Sequence, residues 1–326
     1  YGLVGSEMCI RDRTPGVYRE RYVLLLFLPS IGGLLVGLIA RFYSREAVGH
    51  GVPEVMDAVV RRNCKIKLHV ALARIVTAAL TIGSGGSAGP EGPIIQIGAA
   101  IASSTGTLFR AVRHHLPVLI GCGAAGGIAA IFNAPVAGVL FAMEVLLRDS
   151  NYKTLSPVLI SSVISSVTAS ALLGKKEAIF PLSDLAAYSF HWNELGNYIV
   201  LGLLCAAAAV LFIRSLYIIE DLFERLRVSH VLKPALGALG LGLVGLLTVL
   251  LIRSTVRGEP IVYGNGYSFI GLCIGTETAE RFSSFELRVG ALLILLMAKI
   301  LATSLTLGSG GSGGVFAPSL FMGATT

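Results

Sequence analysis

The sequence predicts an all-α protein that crosses a membrane many times and is assembled from two related halves. Three observations carry that prediction. Hydrophobic residues make up 54% of the 326 positions and charged residues only 14%, where a soluble domain carries roughly 25% charged residues. Apolar runs long enough to span a bilayer, about 20 residues each, recur along the chain. A glycine-rich segment, "GSGGSAGPEGPIIQIGA" at 83–99, returns as "GSGGSGGVFAPSLFMGA" at 308–324 and agrees with it at nine of seventeen positions.

The clearest spans are Tyr22–Ala40, Ser156–Leu173, Tyr198–Tyr217, Leu236–Ile252 and Leu287–Leu307. Ile66–Ile82, Ile94–Phe109 and Leu116–Leu147 are shorter, or broken by glycine and proline; Asn133, Pro135 and Gly138 divide the last into two short helices. Basic residues flank nearly every run, as in "RRNCKIK" (61–67), "RAVRHH" (110–115), "KK" (175–176) and "RSTVR" (253–257), where long cationic side chains snorkel to headgroups. The net charge of +7 is therefore membrane-surface charge and not a nucleic-acid footprint. Because basic clusters occupy successive loops, the positive-inside rule assigns no orientation. Cys9, Cys64, Cys122, Cys205 and Cys273 are scattered, with no CxxC or His/Cys cluster, which argues against a structural zinc site or a disulfide framework; no cofactor is called for. The stretch "YGLVGSEMCIRDR" (1–13) lacks both a regular period and the apolar core of a signal peptide. It reads as a non-native leader, leaving 14–326 as one transmembrane domain, and the stop at Thr326 reads as a truncation.

A duplicated segment in a membrane protein is the mark of a transporter built from two repeats. Two short helices in 116–147 put an odd number of crossings between the copies and make the halves inverted, whereas a single helix there would make them parallel; Asn133, Pro135 and Gly138 favour two. Each copy follows one logic. A crossing helix ends near Ile82 or Leu307, a glycine–serine turn follows where positive φ is cheap, and a second helix starts near Pro93 or Pro318, since proline suits a first turn. Irregular backbone at membrane depth survives only if it is buried in protein or lines a polar cavity. The turn "GHGVPEV" (49–55) repeats the device with Pro53, and "GNG" (264–266) is its distant partner in the second half.

Free N–H groups at a helix start carry about +0.5 of an elementary charge and favour anions. Several such partial charges converging from different helices stabilise a dehydrated anion enough to enter and still let it leave. The inference is a small-anion site inside the membrane, built mainly from backbone amides. Glu91 acquires its meaning there: an intramembrane carboxylate is expensive and functional by default, and at the positive end of its own helix it can occupy the anion's place. Protonated or displaced, it vacates that place. The other copy has Phe316 at the same position, an apolar wall.

These residues resemble a known family. "GHGVPE" (49–54), "GPEGP" (89–93) and "GGVFAP" (313–318) are similar, in order and spacing, to three signatures of the CLC chloride channels and chloride/proton exchangers, and "FNAPVAGVLFAMEV" (132–145) is similar to a helix pair of that family. The resemblance covers roughly residues 20–326. It implies a CLC-type fold with two inverted repeats and discontinuous helices, in a homodimer where each subunit has its own anion pore. Glu91 would be the external gating glutamate, framed by Gly89, Pro90 and Gly92. The amides of Val315 and Phe316, between Gly314 and Ala317, would contact the central anion. Gly49, His50, Gly51, Val52 and Pro53 would supply its inner side. Three departures stand out. His50 replaces the usual serine, which makes inner access a candidate for pH control. Pro90 replaces a lysine or arginine and removes an N–H donor. Val145, with Glu144 before it, occupies the place of an inner proton-transfer glutamate in many exchangers, which favours a channel or another proton route.

Blander readings compete at several positions. "GGSAG" (85–89) and "GGSGG" (310–314) match the G-x-S-x-G nucleophile elbow, so a membrane serine hydrolase using Ser87 or Ser312 with a histidine such as His114 is the alternative from another class. "GSGGSG" (308–313) fits a dinucleotide fingerprint but lacks the preceding strand. His50 reads most simply as satisfied by neighbouring backbone, Phe316 as ordinary packing, and Glu144 as the partner of Arg148 one turn on. The small residues of "GCGAAGGIAA" (121–130) read as close helix packing. The expectation is a multi-pass membrane protein passing chloride or a similar anion through a Glu91-gated, channel-like path, with chloride/proton exchange as the alternative.

Overall fold

The computed structural model describes residues 22–43, 48–109, 115–149, 151–174, 192–252, 261–274 and 285–326. The leader at 1–13, His114 and the basic residues at 110–113, 175–176 and 253–257 lie outside them. The elements are α1 (Tyr22–Phe42), α2 (Val52–Arg61), α3 (Leu68–Gly83), α4 (Glu91–Leu108), α5 (Leu116–Phe132), α6 (Pro135–Phe141) continuing into a π-helical turn (Ala142–Leu147), α7 (Tyr152–Leu173), α8 (Leu195–Arg225, after a short 3₁₀ turn), α9 (Leu232–Leu251), α10 (Tyr267–Ile274), α11 (Phe285–Gly308) and α12 (Phe316–Thr325). Among the described residues only isolated bridges, and no strands, accompany them.

Helix ends follow local chemistry. Asn133 takes a left-handed conformation (φ 50°) between α5 and α6, so the 116–147 run is two helices. Asn151 caps α7 by accepting the Lys153 N–H at 3.2 Å, which starts that helix ahead of its apolar run. α8 has 31 residues, about 46 Å at 1.5 Å per residue, so it tilts or projects beyond a hydrocarbon core of about 30 Å.

Small residues bring helices together. A Cβ on Gly98 of α4 would meet the carbonyl of Gly123 on α5, and a Cβ on Gly123 the carbonyl of Gly98. On the other side of α5, Ser161 and Ser165 of α7 donate to the carbonyls of Cys122 and Gly126 at 2.9 and 2.7 Å. Hydroxyl–carbonyl bonds of this kind hold helices where lipid supplies no hydrophobic drive.

The halves are inverted, and the geometry shows why. α1 packs on α9 through Gly37 and Gly242: a Cβ on Gly242 would stand 2.6 Å from the Leu26 carbonyl oxygen, and one on Gly37 would strike the carbonyl of Val231. Shifted by 205 positions, Leu26 becomes Val231 and Gly37 becomes Gly242, so one contact is made twice. Leu26 and Gly37 are about 16 Å apart along a helix, a separation that allows both contacts only if the helices are antiparallel. The glycine segments repeat the relation at a spacing of 225. Ser87 donates its N–H to Thr306 Oγ1 and Ser312 its N–H to Thr81 Oγ1, both at 3.1 Å. Gly89 and Gly314 exchange N–H···O bonds of 2.9 and 2.6 Å. Reciprocal bonds between equivalent residues are what a two-fold axis passing between them produces.

Candidate functional site

Three glycine turns meet at one place because none carries a side chain there. Gly49 (φ 95°) and Gly51 (φ 89°) are left-handed, a conformation cheap only for glycine. A Cβ on Gly51 would lie 2.6 Å from the carbonyl carbon of Gly92, and one on Gly92 would lie 3.1 Å from the Cα of Gly314 and against the His50 carbonyl. Gly49 donates its N–H to the Gly311 carbonyl at 3.1 Å and accepts from Gly313 at 3.2 Å. The starts of α2, α4 and α12 therefore converge within a few ångströms of backbone.

None of these three helices has a side-chain cap. In α4 and α12 the first intrahelical N–H donors are Ile94, bonding to Pro90, and Ser319, bonding to Val315. The amides of Glu91, Gly92, Phe316 and Ala317 come before those bonds, and the prolines Pro93 and Pro318 carry no N–H. The convergent ends thus present partial positive charge that no side-chain cap screens.

Glu91 answers that charge. Its side chain is 3% exposed, and it takes part in none of the ion pairs among the described residues. The amides of Ala317, across the two-fold, and of Glu91 itself face the carboxylate. Oε2 lies where a Cβ on Gly89 would be and 3.1 Å from where one on Gly314 would be, so both glycines make room for it. The Tyr267 hydroxyl, from the first residue of α10, donates to Oε1.

The remaining expected residues divide. Phe316, the repeat equivalent of Glu91, is half exposed (48%) with its ring edge-on to Phe132, centroids 5.3 Å apart. His50 corrects one expectation: its Nδ1 has no hydrogen-bond partner among the described residues, and the charged groups facing it are Glu54, Glu220 and Arg74. Glu144 corrects another, since it is exposed and forms no ion pair with Arg148 among the described residues. The π-helical turn widens the winding to i→i+5 bonds, which removes the i+4 alignment the pairing needed, and Arg148 itself ends that turn with φ 50°. Val145 sits half-buried on the same turn. Ser87 and Ser312 are fully buried. Their hydrogen-bond partners are Thr303 and Thr306 for one, and Arg74, Thr77 and Thr81 for the other, so neither bonds to a histidine among the described residues.

Two buried cations and a tyrosine complete the site, and none of them was among the expected residues. Arg74 of α3 is fully buried; it donates to the Gly49 carbonyl at 3.0 Å, to Ser312 Oγ at 3.1 Å and to Gln96, and stands 3.6 Å from Glu54. Lys299, its equivalent 225 positions on, is equally buried; it donates to the carbonyls of Val262 and Gly264 at 3.1 and 3.0 Å and lies 4.9 Å over the Phe321 ring. Each cation pins the glycine turn of its own half. The signal was the aligned Arg and Lys in "ARIVTAALTI" and "AKILATSLTL". For Tyr267 it was the pairing of "GHGV" with "GNGY", which sets a phenol at the fourth helix start.

Inverted halves whose broken helices aim uncapped amino ends at a buried carboxylate define a polytopic membrane protein of the transporter class. The family model for voltage-gated chloride channels matches residues 32–326, and the chain belongs to that family. It is 32% identical over 317 residues to chloride channel protein CLC-f of Arabidopsis thaliana, covering 92% of this chain and 37% of that protein. It is 30% identical to the H(+)/Cl(-) exchange transporter ClcA of Klebsiella pneumoniae, covering 98% of this chain and 64% of that protein. The fold matches the crystal structure of a slow cyanobacterial Cl−/H+ antiporter with a TM-score of 0.74 at 21% identity, over 98% of this chain and 70% of that one. The chain spans between 37% and 65% of the length of the first curated relatives it matches.

Proposed function

We propose that this chain carries the conduction pathway of a membrane protein passing chloride or a similar small anion, with Glu91 as its gate. The single observation behind the reading is the buried Glu91 carboxylate resting against uncapped helix starts from both halves. A carboxylate held there competes with a permeating anion for the same amides. Protonation removes its charge and its reason to stay, so the anion takes its place as the pH falls. Gly49–Pro53, Gly89–Gly92 and Gly314–Ala317 line the site through backbone, and Phe316 forms an apolar wall. The working unit is a homodimer with one path per subunit, embedded in the bilayer and acting by transport and not by covalent catalysis.

Chloride/proton exchange is the second reading, favoured by the similarity to ClcA and to the cyanobacterial antiporter. Val145, where the family resemblance expects a carboxylate, favours the channel-like reading, and Glu144 points no charge into the site.

One experiment addresses both readings: chloride efflux and proton movement recorded together from liposomes holding the full-length protein, wild type and Glu91→Gln. The gate assignment predicts chloride flux that rises with acidity in the wild type and is pH-independent in E91Q. Unchanged pH dependence in E91Q would remove Glu91 from the role. Stoichiometric proton uptake in the wild type would select the exchanger.

A further inference from the structure

The fourth helix start differs from the other three. α2, α4 and α12 begin without a side-chain cap, whereas at the start of α10 Asn265 Oδ1 accepts the Tyr267 N–H at 3.1 Å. Gly264 (φ 62°) and Gly266 (φ 76°) shape that turn, and Lys299 fixes it through the Gly264 carbonyl. The backbone of α10 thus has its first amide satisfied and offers a side chain to the site instead. That side chain is the Tyr267 phenol, at the position equivalent to Val52 of the first half, and its hydroxyl donates to Glu91 Oε1.

We propose that Tyr267 is a positioning residue for the gate: its hydroxyl latches the charged Glu91 carboxylate in the anion's place and so sets the acidity at which the path opens. The proposal rests on the gate reading above. Its physical content is a difference between two protonation states. A phenol O–H donates strongly to a carboxylate and weakly to a carboxylic acid, so the latch holds the charged form and releases the neutral one. Removing the hydroxyl leaves the anionic gate facing amides alone, with Oε2 without a hydrogen-bond partner among the described residues, and a proton displaces it more easily. The turn beneath Tyr267 is braced by Asn265 and Lys299, so the hydroxyl can be removed without dismantling the turn. Gly266 keeps that turn open, since a Cβ there would come within 2.6 Å of the Phe321 ring.

The test uses the full-length protein in liposomes and compares wild type, Tyr267→Phe, E91Q and the double variant across a pH series. In Y267F the pH of half-maximal chloride flux moves upward by about one unit, the scale of one hydrogen bond to a charged group, and the profile keeps its rise toward acid. In the E91Q background the same substitution leaves the flat profile unmoved. An unshifted midpoint in Y267F, or a uniform loss of flux at every pH, would overturn the latch and reduce Tyr267 to packing. A wild-type flux that E91Q does not flatten would sink the gate reading itself, a result separate from failure of the latch. Should Y267F assemble poorly, Asn265→Ala, which loosens the start of α10 and leaves the phenol intact, is expected to shift the midpoint in the same direction. No shift in that variant would count against the latch.

Discussion

Gly92 shows how one residue sets the terms for the rest. It follows Glu91, its missing side chain lets the His50 carbonyl and the Gly314 backbone approach, and its N–H belongs to an uncapped helix start. Gly92→Ala is expected to lower thermal stability in detergent by about 1–3 kcal/mol or more, the range for overpacking against backbone that cannot step aside, and to block flux in what still folds. Wild-type melting and flux in G92A would show that the close approach is not required. The sequence made this legible, because glycine before proline three times over has a physical reading without a structure. It did not make the contact between Tyr267 and Glu91 legible. That phenol reaches Glu91 from 176 positions away, and no local period or turn residue records a meeting across two halves.

At the level of elements, helix starts and the cations behind them form a unit. Arg74 on α3 holds the turn before α2 and bonds to Ser312 in the turn before α12. Its Nη2 has no hydrogen-bond partner among the described residues and faces Glu54 at 3.6 Å, so the pairing is electrostatic. Arg74→Met would remove the guanidinium's hydrogen bonds to the Gly49 carbonyl, Ser312 and Gln96 in low dielectric, the Gly49 carbonyl keeping its bond from Gly313. Hydrogen bonds from a charged donor contribute about 1.5–3 kcal/mol each, and melting of the reconstituted protein should fall accordingly. A neutral result would mean that water or rearrangement replaces the guanidinium. The element boundaries show a limit of sequence reading. Apolar windows found the spans but clipped their polar first turns, as at Asn151 and Leu232, because hydropathy is silent about caps. The split at Asn133 was readable, since asparagine tolerates the left-handed conformation. The π-helical turn after it was not, and that turn undid the Glu144–Arg148 pairing.

Over the whole molecule, the two-fold between α1 and α9, and again between Gly89 and Gly314, turns one sequence device into a site. A single helix start is a weak anion binder; inversion brings starts from opposite halves to the same point, where their partial charges add. The symmetry is broken at three pairs of positions around the helix starts. Glu91 stands opposite Phe316, Arg74 opposite Lys299, and Val52 opposite Tyr267. Duplication of the glycine segments and three spaced motifs carried the fold class and the inverted halves, because those follow from repeated local chemistry. The broken symmetry at the fourth helix start became visible only once the halves were placed together. The central claim is that an anion and the Glu91 carboxylate compete for one set of amides. Bromide anomalous diffraction from crystals of wild type and E91Q tests it most directly. The account predicts in E91Q a bromide within about 3.5 Å, hydrogen-bonding reach for a large anion, of the Ala317 and Phe316 amides at the place the carboxylate holds in the wild type. Bromide absent from that place in E91Q, or present at that place in the wild type beside an undisplaced Glu91 carboxylate, would contradict it.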